Sequence, residues 1–229
     1  MRVELEPSYI LHTRPYRETS MLVYALTEQH GVMHMVCRGA RKKGNLQLQP
    51  FMKMYMSWSG RSELVSLNKF ELERSNYTRN FRAHVQCFYL HELILALIPK
   101  MSPEPELFQL YEETLSLIAR FPHQEESLRK FELQILAISG HPLQLKFDHS
   151  NDRQVEDHLH YRYEPGLGPI NCKSEHSGWN VVTGYLLRCL DSHELHADIL
   201  PQAKTFLRGL IKHHLQGKPV MARQLLKVS

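Results

Sequence analysis

The chain has 229 residues, of which 42% are hydrophobic and 23% are charged, and its net charge is +4. These values are ordinary for a globular protein with a core, and they allow one large domain or two small ones. The longest apolar run, around residues 93–99, is too short to span a membrane, and the chain begins without an apolar signal region, so we expect a cytoplasmic protein. The four cysteines form no CxxC pair, so we expect no disulfide framework.

The positive charge is concentrated in the first third of the chain. Residues 1–80 contain 12 Lys and Arg against 7 Asp and Glu, whereas residues 81–229 contain 16 against 17. This asymmetry favours a polyanionic partner that binds the N-terminal part. The chain also has 15 histidines, so acidification should make it more basic and tighten polyanion binding.

The first 80 residues have the alternation and turn signals that are typical of short β-strands. In residues 51–58 the pattern is clearest, because Met52, Met54, Met56 and Trp58 would share one face. The candidate strands are Tyr9–Arg14, Ser20–Thr27, Val32–Cys37, Phe51–Trp58 and Glu63–Leu72. Five strands in about 70 residues predict a small closed barrel of the OB type, although the strand count leaves an SH3-like barrel open.

The periodicity becomes helical after residue 80. We predict helices over residues 81–98, from 103 with Ser102 as its N-cap, over 124–139, over 178–191 and over 201–216, and the first three should pack as a bundle. The expected fold is therefore α+β with two domains. An OB-fold β-barrel (residues 1–80) precedes an all-helical domain (residues 81–229), which contains an irregular segment at about 141–176.

The candidate nucleic-acid site is built around a basic loop between two glycines, Gly39 and Gly44. Glycine lets the main chain approach a phosphate backbone, which lysine and arginine then neutralise. Aromatic residues of the fourth strand, Phe51 or Tyr55, would stack on bases with little sequence preference. The predicted DNA-binding residues are Arg14, Arg17, Arg38, Arg41, Lys42, Lys43, Lys53 and Tyr55.

We find no sequence signature of catalysis, since the chain has no GxSxG, P-loop, GxGxxG or HExxH motif. His158, His160, Cys172 and His176 are potential zinc ligands, but their spacing is looser than that of a structural zinc site. We therefore expect a protein that is not an enzyme and has no cofactor or metal.

The sequence contains the motifs RPYRETS at residues 14–20, GAR at 39–41, LQPF at 48–51, LRKFEL at 128–133, and GKP at 217–219 followed by RQLL. These motifs resemble those of the RecO family of bacterial DNA-repair proteins. The resemblance covers nearly the whole chain. It implies an N-terminal OB-fold, a helical C-terminal domain, binding to single- and double-stranded DNA, and annealing of complementary strands. It also implies that the protein works with RecR to load RecA onto DNA coated with single-stranded-DNA-binding protein, at the nucleoid.

Two consequences of the resemblance concern the C-terminal part. The acidic tail of single-stranded-DNA-binding protein needs an apolar pocket with cations at its rim, and Arg129, Lys130 and Leu133 match by type. Many members of the family have two close cysteine pairs in the region that corresponds to residues 150–180. Here that region contains only Cys172, so we expect packing instead of zinc to hold the segment.

Two other functions remain open from the sequence. An OB-fold RNA-binding module would have similar charge and aromatic content, and contacts to the 2′-hydroxyl would distinguish it. A metal-dependent hydrolase would use the histidines near residues 158–176.

Overall fold

The computed structural model describes residues 1–41, 48–75, 80–173 and 176–225. These residues fall into two compact units, the first formed by residues 1–123 together with the chain end from Val220, and the second by Gln124–Pro219. The predicted domain boundary near residue 80 lies within the first unit, and as a boundary between independent domains it stays a prediction. Across the described residues, every helix is too short or too polar to cross a membrane.

The first unit begins with five strands, followed by two helices. The strands are β1 (Arg2–Tyr16), β2 (Ser20–Thr27), β3 (Gly31–Cys37), β4 (Met52–Ser59) and β5 (Leu64–Ser75), and the helices are α1 (Phe81–Leu97) and α2 (Pro105–Arg120). The strands pair in the order β1-β2-β3-β5-β4, and β4 returns to β1. The predicted strand-rich N-terminal region is therefore confirmed.

The barrel does not close evenly. The β3–β5 seam is parallel and short, from His34 opposite Leu64 to Cys37 opposite Leu67, whereas the other seams are antiparallel and longer. The predicted inward face of β4 is confirmed for Met54, Met56 and Trp58, which are fully buried. These side chains join a core formed by Ile10, Val23, Ala25, Met33, Met35, Val65 and Leu67.

Two helices pack beside the barrel in the same unit. Asn80 caps α1 by accepting a hydrogen bond from the backbone N–H of Ala83 (3.1 Å). The second helix begins two residues later than predicted, with Glu104 as its N-cap and Pro105 at its first position. Tyr9 of β1 contacts the rings of Phe108 and Tyr111 of α2, which buries one part of the outer barrel surface.

The second unit contains both helices and strands. Its elements are α3 (Glu126–Ile138), β6 (Phe147–Asp148), β7 (Arg153–Gln154), β8 (His160–Glu164), β9 (Gly168–Cys172), β10 (Val181–Thr183), α4 (Gly184–Asp191) and α5 (Leu200–His214). A last short helix, α6 (Ala222–Leu225), belongs to the first unit and packs on α1. The prediction of one bundle from the first three helices is wrong, because α3 packs on α5 in the second unit.

The prediction of an all-helical C-terminal domain is also wrong. Strands β10, β8 and β9 form a three-stranded sheet, and β6 pairs with β7. Tyr161 and Tyr163 are buried while Arg162 between them is exposed, which is the alternation of a half-buried strand. Gly166 has a φ of +84° in the turn before β9, a conformation that glycine adopts without strain.

A buried carboxylate organises part of the segment that was predicted to be irregular. Asp148 accepts hydrogen bonds from the backbone N–H and hydroxyl of Ser150, from the side chain of Asn151 and from the backbone N–H of Asn171. Burial opposes the charge, but these hydrogen bonds outweigh it and lower the pKa of Asp148. Hydrogen bonding to an ionised side chain therefore connects β6 to β9.

Candidate nucleic-acid interface

The tip of the β1–β2 hairpin presents Arg17, one of the predicted DNA-binding cations. Tyr16 pairs with Ser20, so residues 17–19 form the loop. Arg17 has a φ of +52°, an unfavourable conformation for a residue with a side chain, and its guanidinium lies 5.2 Å from the centre of the Tyr16 ring. The loop therefore holds an exposed arginine against an aromatic ring.

The loop after β3 is tied to this hairpin tip by Arg41. The backbone N–H of Arg41 donates to the carbonyl of Thr19 (3.0 Å), and its Nη1 donates to the carbonyls of Arg17 (3.2 Å) and Glu18 (3.3 Å). Arg38 is exposed in the same loop. Three of the predicted cations, Arg17, Arg38 and Arg41, therefore lie together, whereas Lys42 and Lys43 lie outside the described residues.

A cleft of about 710 Å³ opens beside these loops. Its lining is mixed, with Tyr16, Val36, Leu64 and Val65 beside the polar residues Glu18, Thr19, Ser20 and Ser66, and Arg17 and Arg38 also line it. The exposed guanidiniums of Arg17 and Arg38 at this cleft suit a ligand that carries phosphates.

A row of three rings crosses the outer face of the barrel next to the cleft. His12 of β1 lies opposite Tyr24 of β2, and Tyr24 lies opposite His34 of β3. The ring centres are 5.5 Å apart for His12 and Tyr24 and 4.4 Å apart for Tyr24 and His34. The guanidinium carbon of Arg14 lies 5.8 Å from the centre of the Tyr24 ring. We call His12, Tyr24 and His34 the ring row.

Burial and neighbouring positive charges favour the uncharged form of His34 in the ring row. Burial lowers the pKa of His34, and the positive charges of Lys100 and Arg14 lower it further, against an opposing effect of Glu63. His34 is therefore a neutral ring at neutral pH. The planes of the Tyr24 and His34 rings are inclined by 70° and those of His12 and Tyr24 by 45°, so the three rings offer separate faces instead of one flat platform.

The structure does not bring the residues predicted on β4 to this face. Lys53 donates to Glu112 of α2 (2.9 Å) and lies 3.7 Å from Glu73, and its side chain is 13% exposed. Tyr55 is partly exposed and lies opposite Glu71 of β5. The roles of Lys53 and Tyr55 in DNA binding stay predictions.

Phe51, the other predicted stacking residue, is buried. Its φ is +71°, and its ring contacts those of His84, Phe88 and His91 on α1, with centres 4.8 to 5.6 Å away. It therefore joins the barrel to α1 instead of offering a surface for bases.

The residues predicted to bind a partner differ widely in exposure. Arg129 has no exposed side-chain surface and donates from Nη2 to Oε1 of Glu132 (2.6 Å), which is equally buried. Lys130 is exposed and pairs with Glu126 across one helical turn (2.7 Å). Leu133 is buried. Of the three, Lys130 is accessible to a docked peptide, and the partner-binding role of the set stays a prediction.

The sequence reasoning missed the ring row, although a signal for it exists. Tyr24 and His34 occupy outward positions of their strands, and the Thr27–Gly31 turn sets a register that places one opposite the other.

The structure gives no support to a metal site at the histidines near residues 158–176. Within the described ranges, no three His, Cys, Asp or Glu side chains converge in a way that could hold a metal ion.

The first unit therefore contains a five-stranded barrel with three contacting rings on its outer face and exposed arginines in the adjoining loops. It belongs to the class of small β-barrel domains with helices packed beside the barrel, and comparison with known families shows which family the chain belongs to. The family profile described as "Recombination protein O N terminal" matches residues 1–76, and the one described as "Recombination protein O C terminal" matches residues 79–224. The chain therefore belongs to the RecO family of DNA repair proteins.

Curated relatives support the assignment over the full length. The chain is 36% identical to the DNA repair protein RecO of Nitrosococcus oceani, over 99% of this chain and 94% of that protein. It is 35% identical to the DNA repair protein RecO of Methylococcus capsulatus, over 100% of this chain and 95% of that protein. The corresponding protein of Cupriavidus pinatubonensis is 33% identical, over 98% of this chain and 79% of its own length.

Proposed function

We propose that this protein is a mediator of DNA repair and homologous recombination that binds single-stranded DNA across the outer face of β1, β2 and β3. The observation that carries the proposal is the ring row with Arg14 beside Tyr24 and with Arg17, Arg38 and Arg41 at the ends of the same strands. The strand order β1-β2-β3-β5-β4 supports an OB-type barrel, and OB-folds bind oligonucleotides on this part of the sheet.

The physical mechanism has two components. Bases of any sequence stack on the rings, and each stacked base contributes roughly 1–3 kcal/mol. The arginines neutralise phosphates and release counter-ions, so the affinity should fall steeply as salt is added. A second strand or a duplex can use the same cations, and neutralising two complementary strands lets their bases meet, which is the basis we propose for annealing.

The proposed role is binding and not bond-making catalysis. In this proposal the rings stack on bases and the arginines contact phosphates, so both hold the nucleic acid in place. With RecR, the bound protein would help load RecA onto DNA coated with single-stranded-DNA-binding protein, in the cytoplasm at the nucleoid. Membership of the family supports the proposal of these partners.

For the acidic tail of single-stranded-DNA-binding protein, the second unit is the proposed site. Lys130 is the exposed cation of the predicted set, whereas Arg129 is buried against Glu132 and would need a rearrangement to contact a docked tail. We therefore propose that Lys130 contacts the tail directly and that Arg129 and Leu133 shape the helix that presents it.

The second candidate function is an OB-fold RNA-binding module, because the ring row and arginines would also accept single-stranded RNA. Competition between DNA and RNA oligonucleotides of the same sequence distinguishes the two. Preference for RNA would favour the module, and equal or better DNA binding with annealing would favour the mediator.

Two tyrosines provide a matched test of the binding face. Tyr24→Leu should weaken binding of a labelled single-stranded oligonucleotide by about 1–2 kcal/mol, roughly five- to thirtyfold, because a stacking ring is lost. Tyr55→Leu on β4 should change the affinity less than twofold. Fluorescence anisotropy measures binding, and addition of the complement reports annealing. The opposite ranking of the two variants would move the binding face to β4, and no binding by the wild-type protein at low salt would refute the proposed function.

A further inference from the structure

The segment between α1 and α2 is fixed against the start of β3. Lys100 forms a β-bridge with Val32, and the backbone N–H of Met101 donates to the carbonyl of Val32 (3.0 Å). A Cβ atom on Gly31 would lie 1.8 Å from the carbonyl oxygen of Ser102, so the close approach requires glycine. Lys100 is therefore held at a defined place beside the barrel, although it lies outside the barrel sequence.

Lys100 lies near His34 of the ring row. It forms a β-bridge with Val32, two residues before His34, and its charge lowers the pKa of His34. The arginine loops lie beyond the other end of β3, where Arg38 and Arg41 follow Cys37. A strand that crosses the ring row would thus have cations on each side.

Lys100 also has a weakly held counter-ion. Its Nζ lies 3.3 Å from Oε2 of Glu63, just before Leu64, which pairs with His34. The side chains are 48% and 75% exposed, respectively. Exposed pairs of this kind contribute about 0–1 kcal/mol because water and salt screen them. A phosphate group can therefore replace the carboxylate at little cost.

We propose that Lys100 is a phosphate ligand for single-stranded DNA on the side of the ring row opposite the arginine loops, and that Glu63 is its exchangeable counter-ion. The inference rests on the proposed function. It extends the DNA-binding surface beyond the barrel to the segment between the helices. It also gives Glu63 a defined effect, since this carboxylate competes with the phosphate for Lys100 in the unbound protein.

The test measures binding of a labelled single-stranded oligonucleotide by fluorescence anisotropy as a function of salt. Lys100→Gln should reduce the slope of log affinity against log salt by about 0.7, the value for one phosphate contact with a single strand. Glu63→Gln should tighten binding about two- to fivefold, because Lys100 then contacts a phosphate without first breaking its ion pair with residue 63. Lys69→Gln is the control, since Lys69 is an exposed lysine of β5 that pairs with Glu71 away from the ring row, and its slope should match the wild type.

The double variant Glu63→Gln with Lys100→Gln decides whether the two residues act on each other. It should bind like Lys100→Gln alone, because Glu63 acts through Lys100. If Glu63→Gln tightens binding equally with and without Lys100, Glu63 is not the exchangeable counter-ion of Lys100. Its carboxylate then acts only by repelling the phosphates of the DNA. An unchanged slope for Lys100→Gln, in a protein that Tyr24→Leu weakens, would overturn this inference and leave the proposed function standing. A wild-type protein that does not bind would remove the proposed function itself.

Discussion

Replacing Arg129 with alanine should destabilise the protein strongly, although this residue resembles a surface cation in the sequence. The side chains of Arg129 and Glu132 are fully buried and joined by a 2.6 Å hydrogen bond. Removing the arginine leaves the Glu132 carboxylate buried beside a cavity and without this partner. Breaking a buried pair in this way costs about 3–5 kcal/mol, which is a large part of the stability of a typical domain.

Urea unfolding followed by circular dichroism measures the effect. Lys130→Ala is the matched control, because Lys130 is adjacent in the helix but exposed, and losing its pair with Glu126 should cost at most about 0.5 kcal/mol. The double variant Arg129→Met with Glu132→Leu should recover most of the lost stability, since apolar side chains of similar size often replace a buried ion pair without cost.

The comparison also separates two roles for Arg129. If Arg129→Ala remains within about 1 kcal/mol of the wild type, the pair is not a buried structural element and the reasoning from burial is refuted. If the double variant is stable and still binds the acidic tail, Arg129 has no direct role in binding. Loss of tail binding in a stable double variant would instead support the contact that the sequence predicted.

Two further predictions concern the first unit. Burial lowers the pKa of His91 to about 3, so the folded state binds its proton less readily than the unfolded state, and stability falls as the pH drops below about 6.5 towards 3. His91→Phe should remove about 2 kcal/mol of the acid destabilisation at pH 5, measured by urea unfolding against the wild type at pH 5 and pH 7.5, and an unchanged difference would contradict the assignment. Gly31→Ala should destabilise by about 2 kcal/mol or more, since the methyl group meets the backbone of Ser102, whereas Gly39→Ala, with a similar φ and open space, should cost about 1 kcal/mol. Equal thermal unfolding of these two glycine variants would argue against the close approach.

The local sequence located the five barrel strands because side chains alternate along a strand, but it placed the start of β1 at Tyr9 instead of Arg2. In β4 the inward set Met54, Met56 and Trp58 follows from a period of two residues, and the structure buries all three. Turn residues marked most of the strand ends, so the strand-rich first region could be recognised. Helix starts were less accurate, as at Glu104, since several neighbouring residues qualify as caps.

The candidate site was only partly predictable. A cluster of arginines is visible in the sequence, and the structure joins Arg17 and Arg41 through main-chain carbonyls. The ring row depends on the register between three strands, which places His12, Tyr24 and His34 in contact. The sequence also did not show which cations are exposed. Lys53 and Arg129 have the same side-chain chemistry as surface cations, but each is largely or fully buried and pairs with a carboxylate.

The sequence by itself determined the family, the strand-rich start, most of the helical segments and the position of the basic loop, because these depend on local patterns and on motifs along the chain. Only the tertiary structure decided that His12, Tyr24 and His34 lie side by side on the outer barrel surface, that α3 packs with α5, and that Lys100 lies beside Val32 at the start of β3. The physical reason is that packing brings together residues far apart in the chain. Burial and cross-strand contacts then determine whether a ring or a charge faces solvent or the protein interior.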